Sequence, residues 1–325
     1  MPQFDLPWEE LQSYRPQVTE PADFDAFWQR TLAQARAAGG EVTVTDAGAG
    51  LPHVDVHDVT FPGFDGEPIK AWYSRPAGVT ADLPLVVQFH GYGGGRMLPV
   101  EHTLWPAAGF AHLMVDNRGQ GSSWGSGGDT PDAGHSGPAL PGFMTRGIDS
   151  PDTYFYRRLM TDAVRAVDAG RTLAGVDPAR VAVAGVSQGG GVALAVAALV
   201  PDLWAVMPDV PFLSHIARAV RLTDADPYGE IRRYLAVHRD ATERVFATLA
   251  YVDGVNFARR ITAPSLWSVA LCDEVCPPST VMAAFNHCGE HVGGTAKEMV
   301  VYPFNGHEGG AMHQVMRQLE FVRAL

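Results

Sequence analysis

The chain has 325 residues, 46% of them hydrophobic, and a formal net charge of −12. That length allows one large core, with or without an inserted cap, and the acidic balance argues against nucleic acid and anionic membrane surfaces as partners. No apolar run is long enough to span a bilayer, the N-terminus lacks the features of a signal peptide, and three cysteines are too few for a disulfide framework, so a cytoplasmic protein is expected.

The first predicted elements are a helix and two strands. Residues 21–38 carry apolar side chains at helical spacing and end at two glycines, which predicts a helix within an N-terminal helical extension of about residues 1–45. Residues 53–61 and 69–76 alternate between apolar and polar side chains on either side of a glycine-containing turn. That pattern predicts two antiparallel strands at one edge of a sheet.

Short apolar runs followed by helical patterns fill most of the remaining chain. The runs are 85–90, 111–116, 181–186, 203–208, 265–271 and 298–302. This alternation predicts a single α/β domain over residues 1–325, with a mostly parallel central sheet and helices on both faces. Two stretches depart from it. Residues 117–150 are predicted to form a long loop of the kind tied to function or to a subunit contact, and about 211–260 a helical cap insertion over the site.

The most informative motif is a serine between glycines. Gly185–Gly190 follows a short apolar strand and precedes an apolar helix, which is the context of a nucleophile elbow presenting Ser187 above a parallel sheet. A second Gly-x-Ser-x-Gly match, centred on Ser123, continues into residues rich in glycine and proline, where no helix can start. We therefore interpret Ser187 as a nucleophile for acyl transfer and Ser123 as a loop residue.

A serine nucleophile needs a general base and an acid that orients the base. In this architecture the chain order is serine, acid, histidine, and His307 directly follows the last predicted strand. Asp273 follows the preceding strand and is the predicted acid, with Asp209 as the alternative. The later histidines that compete with His307 lie in the predicted cap or in helices: His215, His238, His287, His291 and His313.

The tetrahedral oxyanion of acyl transfer needs two N–H donors. Gln188 follows the nucleophile, and Tyr92 lies in a glycine-rich loop after a strand, so their backbone N–H groups are the predicted oxyanion hole. The ring of Tyr92 is predicted to line the acyl pocket. Trp105, Trp124 and Phe212 are further candidates for a substrate pocket, and each fits the core at least as well. Cys272 and Cys276 lack two further ligands nearby and are interpreted as buried thiols, so neither a metal nor a cofactor is expected.

With these residues in view, the chain resembles the acetyl xylan esterase / cephalosporin C deacetylase family, carbohydrate esterase family 7, in the α/β-hydrolase superfamily. The matching signatures are Arg118-Gly119-Gln120, Gly185–Gly190 and His307-Glu308. The resemblance implies an α/β-hydrolase fold and the same roles for the serine, acid, base and oxyanion donors. It also implies an intracellular homo-oligomer, a hexamer, that deacetylates small sugars, xylo-oligosaccharides and cephalosporins. The tryptophan-containing segment 121–128 departs from the family pattern.

These observations favour a serine esterase that removes acetyl groups from small acetylated carbohydrates, and cephalosporin C is a further expected substrate. The alternatives within enzymes are a general short-chain carboxylesterase and a prolyl peptidase-like hydrolase. The alternative outside enzymes is a non-catalytic binding module. It is disfavoured because such proteins commonly lose a triad member, whereas serine, acid and histidine are all present here.

Overall fold

The protein is described from a computed structural model, which covers residues 3–325. Its centre is a nine-stranded sheet. The strands in chain order are Thr43–Asp46 (β1), Val54–Pro62 (β2), Pro68–Pro76 (β3), Leu83–Phe89 (β4), Ala111–Val115 (β5), Val176–Val186 (β6), Ala205–Asp209 (β7), Ser265–Ala270 (β8) and Lys297–Tyr302 (β9).

The spatial order of the strands is β1-β2-β3-β5-β4-β6-β7-β8-β9. The pairs β1–β2, β2–β3 and β3–β5 are antiparallel, and every pair from β5 through β9 is parallel. The mostly parallel sheet and its antiparallel edge are thereby confirmed. Strand β1 was not predicted, because it is short and all four of its residues are exposed. The segment expected to be a helical extension up to about residue 45 therefore ends in the sheet.

Eleven α-helices surround the sheet in the described residues. They are Trp8–Leu11 (α1), Phe24–Ala38 (α2), Leu104–Ala107 (α3), Phe155–Gly170 (α4), Gln188–Leu199 (α5), Ile216–Leu222 (α6), Tyr228–Val237 (α7), Thr242–Leu249 (α8), Gly254–Ala258 (α9), Pro278–His287 (α10) and Met312–Ala324 (α11). Short 3₁₀ helices add Phe64–Gly66, Pro99–Glu101, Phe143–Thr145, Arg239–Ala241 and Glu290–Val292. None of the helices in residues 3–325 combines the length and the apolarity needed to cross a membrane.

Both faces of the sheet are apolar and both are covered. In β4, Val87 packs in the larger hydrophobic cluster with α4 and α5, whereas Val86 belongs to a smaller cluster that includes Trp105 and Val322 of α3 and α11. Strand β6 divides in the same way, with Val183 on one face and Ala184 on the other. Successive strand residues point to opposite faces, so a sheet buried on both sides reads as a continuous apolar run.

The helices α6 to α9 lie between β7 and β8, where the cap insertion was predicted. They also contact the N-terminal part of the chain. Trp28 of α2 is fully buried, and its indole N–H donates to the carbonyl oxygen of Tyr251 at 3.0 Å. Its ring packs against Phe257 of α9 at 5.4 Å between centroids. Burying a large aromatic side chain contributes roughly 1.5–3 kcal/mol, so this contact holds α2 and α9 together.

Candidate active site

Ser187 occupies a sharp turn between β6 and α5. Its backbone has φ 57° and ψ −118°, a conformation that costs a non-glycine residue about 1–3 kcal/mol. The flanking glycines allow this turn to pack, because a Cβ on Gly185 would overlap the backbone of Gly189, and a Cβ on Gly189 would overlap the carbonyl oxygen of Phe89. The Ser187 N–H donates to the carbonyl oxygen of Asp209 at 2.9 Å, which ties the elbow to β7.

The structure brings Ser187, His307 and Asp273 together. Nε2 of His307 lies 2.9 Å from Oγ of Ser187, and Nδ1 lies 2.9 Å from Oδ2 of Asp273. A carboxylate only accepts hydrogen bonds, so we assign the proton to Nδ1, which donates to Asp273 and leaves Nε2 to accept from the serine hydroxyl. Asp273 is fully buried, while a third of the His307 side chain is exposed. The arrangement can move a proton from the serine to the imidazole.

The loop after β8 holds the Asp273 carboxylate in place. Oδ1 accepts from the backbone N–H groups of Val275 at 2.8 Å and Cys276 at 2.9 Å. The alternative acid, Asp209, has no contact with His307 and instead accepts from Nε2 of Gln318 at 2.6 Å. Burial raises the pKa of Asp209 to about 7. The structure therefore gives the imidazole one carboxylate partner, and it is Asp273.

The predicted oxyanion donors lie beside the serine. Gln188 is the first residue of α5, and the loop of Tyr92 follows β4, which pairs with β6 in parallel. Among the described residues, the backbone N–H groups of Tyr92 and Gln188 have no protein acceptor. Both N–H groups are thus free to bind an oxyanion.

Sequence reasoning missed the role of Gln120, which connects the two oxyanion segments. Its Oε1 accepts from the backbone N–H of Gly93 at 2.8 Å, and its Nε2 donates to Oε1 of Gln188 at 2.9 Å. Tyr156 donates to that same Gln188 oxygen at 2.9 Å. Gln120 and Gln188 are fully buried. The glutamine of the Arg-Gly-Gln signature therefore fixes the spacing of the two predicted donors.

The arginine of that signature anchors the loop beneath the site. Arg118 is fully buried and forms a bidentate pair with Asp162, through Nε to Oδ2 at 2.5 Å and Nη2 to Oδ1 at 2.8 Å. It also pairs with Glu67 of the turn before β3. Breaking a buried ion pair of this kind typically costs 3–5 kcal/mol, so Arg118 is a structural residue of the loop.

The side chain of Tyr92 connects the oxyanion loop to the cap. Its hydroxyl donates to Oε1 of Glu230 on α7 at 2.6 Å and accepts from the backbone N–H of Phe143 at 2.9 Å. Oε2 of Glu230 accepts from the N–H of Met144 at 3.1 Å. Burial, followed by the Glu230 charge, raises the pKa of Tyr92, and burial also raises the pKa of Glu230. The Glu230 carboxylate thus joins the loop of Tyr92, the segment of Phe143 and Met144, and helix α7. No sequence motif identified it.

A cavity of about 430 Å³ opens over the serine. Its lining residues are Gly91, Tyr92, Trp124, Pro141, Val186, Ser187, Asp226, Pro227, Val275 and His307. A larger depression of about 740 Å³ lies along residues 236–244 and contains none of the triad. The smaller cavity, with its mostly apolar lining and a few polar groups, has the size and character of a small-molecule site.

Trp124 is at this cavity, as predicted for a pocket residue. Its indole N–H donates to the carbonyl oxygen of Tyr92 at 2.8 Å, and its ring lies against Gly94, where a Cβ would overlap it. The surrounding loop contains Ser123, which is exposed and lies in a bend. The second Gly-x-Ser-x-Gly match is therefore a loop, as predicted.

Two other predicted pocket residues are not at the cavity. Trp105 belongs to α3 and is buried in the smaller hydrophobic cluster, edge-on to Phe110. Phe212 is fully buried behind Tyr92 and packs against Tyr228 at 4.3 Å between centroids. Neither residue lines this cavity and both pack in the core, and an aromatic residue near a strand end has the same sequence signal in either place.

The cysteines also differ from expectation in part. All three are free, and Cys276 and Cys288 are buried, but Cys272 is half-buried, with its thiol 3.7 Å from the carbonyl oxygen of Pro303. Cys276 was singled out only as a buried thiol. The structure places its sulfur beside Asp273 and His307, with one possible ligand atom of each residue within 4.8 Å of the others.

Comparison with known proteins assigns the family. The family described as acetyl xylan esterase (AXE1) matches residues 1–325. Acetyl esterase Axe7A of Xylanibacter ruminicola is 29% identical over 303 residues, covering 90% of this chain; the chain spans 65% of that relative's length.

Solved structures agree with this assignment. The acetyl xylan esterase from Paenibacillus sp. R4 has a TM-score of 0.89 at 37% identity, covering 98% of this chain and 99% of its own. Acetyl xylan esterase 1 from Thermoanaerobacterium sp. JW/SL YS485 has a TM-score of 0.87 at 33% identity, with the same coverage. The chain therefore belongs to the acetyl xylan esterase family, a family of carboxylic ester hydrolases with the α/β-hydrolase fold.

Proposed function

We propose that this protein is a serine esterase that removes acetyl groups from small acetylated carbohydrates such as xylo-oligosaccharides. The observation that carries the proposal is the hydrogen-bonded chain from Ser187 through His307 to Asp273, at 2.9 Å for each link. Family membership supports acetate esters as the substrate class.

In the proposed mechanism, Oγ of Ser187 attacks the acetyl carbonyl carbon while Nε2 of His307 takes the hydroxyl proton. Asp273 accepts the Nδ1–H bond throughout and stabilises the imidazolium that forms. The carbonyl oxygen becomes an oxyanion and receives hydrogen bonds from the backbone N–H groups of Tyr92 and Gln188. Loss of one such donor typically lowers kcat by about 10²–10³-fold.

Collapse of this intermediate expels the sugar alcohol, which takes the proton from Nε2 of His307 and leaves an acetyl ester on Ser187. A water molecule then gives a proton to His307 and attacks the acetyl carbon. A second oxyanion collapses, acetate leaves, and the proton returns to the serine. Every proton is thus taken and returned by one imidazole nitrogen.

The cavity supports short acyl groups and soluble alcohols. Tyr92 and Trp124 line the space around the serine, together with Val275 of the loop after β8 and Pro227 of the cap. We propose that the acetyl group occupies the part nearest the oxyanion donors and that the sugar lies toward the half-exposed His307. Cephalosporin C, whose acetate ester has the same reacting atoms, is a second proposed substrate.

Rates on a graded substrate set test this function. Aryl acetate, butyrate and octanoate, acetylated xylo-oligosaccharides, cephalosporin C and a peptide anilide are compared by kcat/KM. We expect the acetates to be fastest and the anilide to be inert. Faster hydrolysis of octanoate would indicate a general carboxylesterase instead, and anilide cleavage would indicate a peptidase-like enzyme.

We propose a homo-oligomer, a hexamer by the family resemblance. Large apolar side chains are exposed on both sides of His307 in the chain, and the exposed fractions are 88% for Phe304, 59% for Met312 and 60% for Met316. These side chains are candidates for the subunit contact. Sedimentation velocity gives the subunit number directly, and a monomer at all concentrations would refute the assembly. A cytoplasmic location remains part of the proposal, supported by the three free thiols.

A further inference from the structure

The loop after β8 carries a second chemical group beside the triad. Asp273, Cys276 and His307 each offer one ligand atom, and the three atoms lie within 4.8 Å of one another. The Cys276 thiol also lies next to the Ser187 hydroxyl. The ester hydrolysis described above assigns no step to this sulfur.

The three donors match the preferences of one kind of ion. Thiolate, imidazole and carboxylate together suit Zn²⁺, whereas Mg²⁺ and Ca²⁺ prefer oxygen ligands alone. In a tetrahedral zinc site the ligand atoms lie roughly 3.3–3.8 Å apart, because each is about 2.0–2.3 Å from the ion. The widest separation, of up to 4.8 Å, must therefore shorten by roughly 1.0–1.5 Å, and Nδ1 of His307 must move away from Oδ2 of Asp273, now at 2.9 Å.

Two of the three donors are held in one turn, and the third faces the cavity. Asp273 and Cys276 are fixed in one turn, since the carboxylate accepts the backbone N–H of Cys276 at 2.9 Å. A third of the His307 side chain is exposed and lines the cavity, so an ion can arrive through the substrate opening. Three protein ligands leave a fourth coordination position, which a water molecule can fill.

We propose that Asp273, Cys276 and His307 form an inhibitory site for Zn²⁺ or a similar thiophilic divalent cation. Binding replaces the S–H bond of Cys276 with a metal–sulfur bond, and the thiol proton passes to solvent. Nδ1 of His307, which faces Asp273, passes its proton to Nε2 and donates the freed lone pair to the ion, and the Asp273 carboxylate donates another. No electron is transferred, so a chelator reverses the change. The imidazole can then no longer accept the serine proton. The inhibitory effect rests on the proposed esterase function, whereas the binding site does not.

The first test measures binding without activity. Co²⁺ replaces Zn²⁺ as the probe, because a cobalt–thiolate bond gives a charge-transfer band in the near ultraviolet. We expect the band in the parent protein and in Cys272→Ser, whose thiol is half-buried and outside the cluster. We expect no band in Cys276→Ser. A parent protein without the band at saturating Co²⁺, or an equal band in Cys276→Ser, would overturn the site.

The second test measures inhibition of aryl acetate hydrolysis by Zn²⁺, with Mg²⁺ as the control ion and EDTA for reversal. Each variant is compared with its own metal-free rate. Cys276→Ser should raise the Zn²⁺ concentration for half-inhibition by at least about 10-fold, since loss of even a group supporting a ligand costs 10–100-fold in affinity. Equal inhibition of the parent and Cys276→Ser would overturn the proposal, as would equal inhibition by Mg²⁺.

Two further results distinguish failure of the proposed esterase function from failure of the proposed metal site. If the metal-free parent hydrolyses no ester, the proposed function fails, and the cobalt band still decides the binding site. If Cys276→Ser does not fold, His307→Ala takes its place in the cobalt titration and should weaken binding by at least about 10-fold. Unchanged cobalt affinity in His307→Ala would contradict the site.

Discussion

The catalytic triad and the oxyanion loop are held in place by different means. Ser187, Asp273 and His307 follow β6, β8 and β9, so the parallel strand ends bring them to one edge of the sheet. The position of the oxyanion loop, in contrast, depends on side chains from distant parts of the chain. Its Gly93, the Tyr92 carbonyl and the Tyr92 hydroxyl bind partners 27, 32 and 138 residues away, respectively. The positions of the triad residues thus follow from the strand order, and the position of the oxyanion loop follows from long-range hydrogen bonds.

The largest effect is expected in the catalytic triad and is tested by replacing each of two aspartates at neighbouring strand ends by asparagine. Asp273→Asn should lower kcat by about 10⁴-fold, because the amide favours the wrong tautomer of His307. Asp209→Asn is the matched control and should keep kcat near the parent value, since Asp209 bonds to Gln318 rather than to the imidazole. An equal loss in the two variants, measured by steady-state kinetics on an aryl acetate, would break the comparison.

Asp209 also makes the stability of the fold depend on pH. The pKa of Asp209 in the folded protein is about 7, against 3.8 for the exposed group, so the folded state binds more protons between these values. Stability from Asp209 is therefore complete below pH 4 and is lost as pH rises through 7. Asp209→Asn removes the loss and should gain up to roughly 4 kcal/mol relative to the parent at pH 8, at about 1.4 kcal/mol per pKa unit.

Urea unfolding at pH 4.5 and pH 8 measures this difference. The difference between variant and parent isolates Asp209 from Asp253, whose pKa burial also raises, to about 6. A gain that is no larger at pH 8 than at pH 4.5 would show that Asp209 is ionised and stabilised in the fold.

A smaller effect is expected on the oxyanion side. Gln120→Ala leaves the buried Gly93 N–H unpaired, at about 1–3 kcal/mol, and removes one of the two donors to Oε1 of Gln188. If most of that cost falls on the transition state, kcat drops by about 5–100-fold with little change in KM. Ser122→Ala, at an exposed position of the same loop, is the control. A parent-like kcat in folded Gln120→Ala would show that the loop holds itself.

The smallest effect concerns Trp124. Trp124→Phe keeps a ring against Gly94 but loses the N–H bond to the Tyr92 carbonyl, and about 0.5–1.5 kcal/mol corresponds to a 2- to 10-fold drop in kcat/KM. Trp124→Ala, which also uncovers the glycine loop, should lose more. If both variants kept the kcat/KM of the parent, the Trp124 indole would have no role in positioning this loop.

The same division explains what the sequence could predict. Chain order and strand periodicity suffice to bring the serine, the acid and His307 to one edge of the sheet, because parallel strands end on the same side. The partners of Tyr92 could not be predicted, since Glu230 lies on a cap helix and carries no motif. Trp105 was misplaced because periodicity does not distinguish a pocket from a core. Strand β1 was missed because it is exposed on both faces and short.

Ser187 is the proposed nucleophile, and His307 is the base proposed to activate it. The most direct measurement is peptide mapping by mass spectrometry after labelling with a fluorophosphonate. A single adduct on Ser187 is predicted, absent in Ser187→Ala and formed far more slowly in His307→Ala. An adduct on Ser123 or Cys276 in the parent, or labelling of Ser187→Ala at the parent rate, would contradict the account.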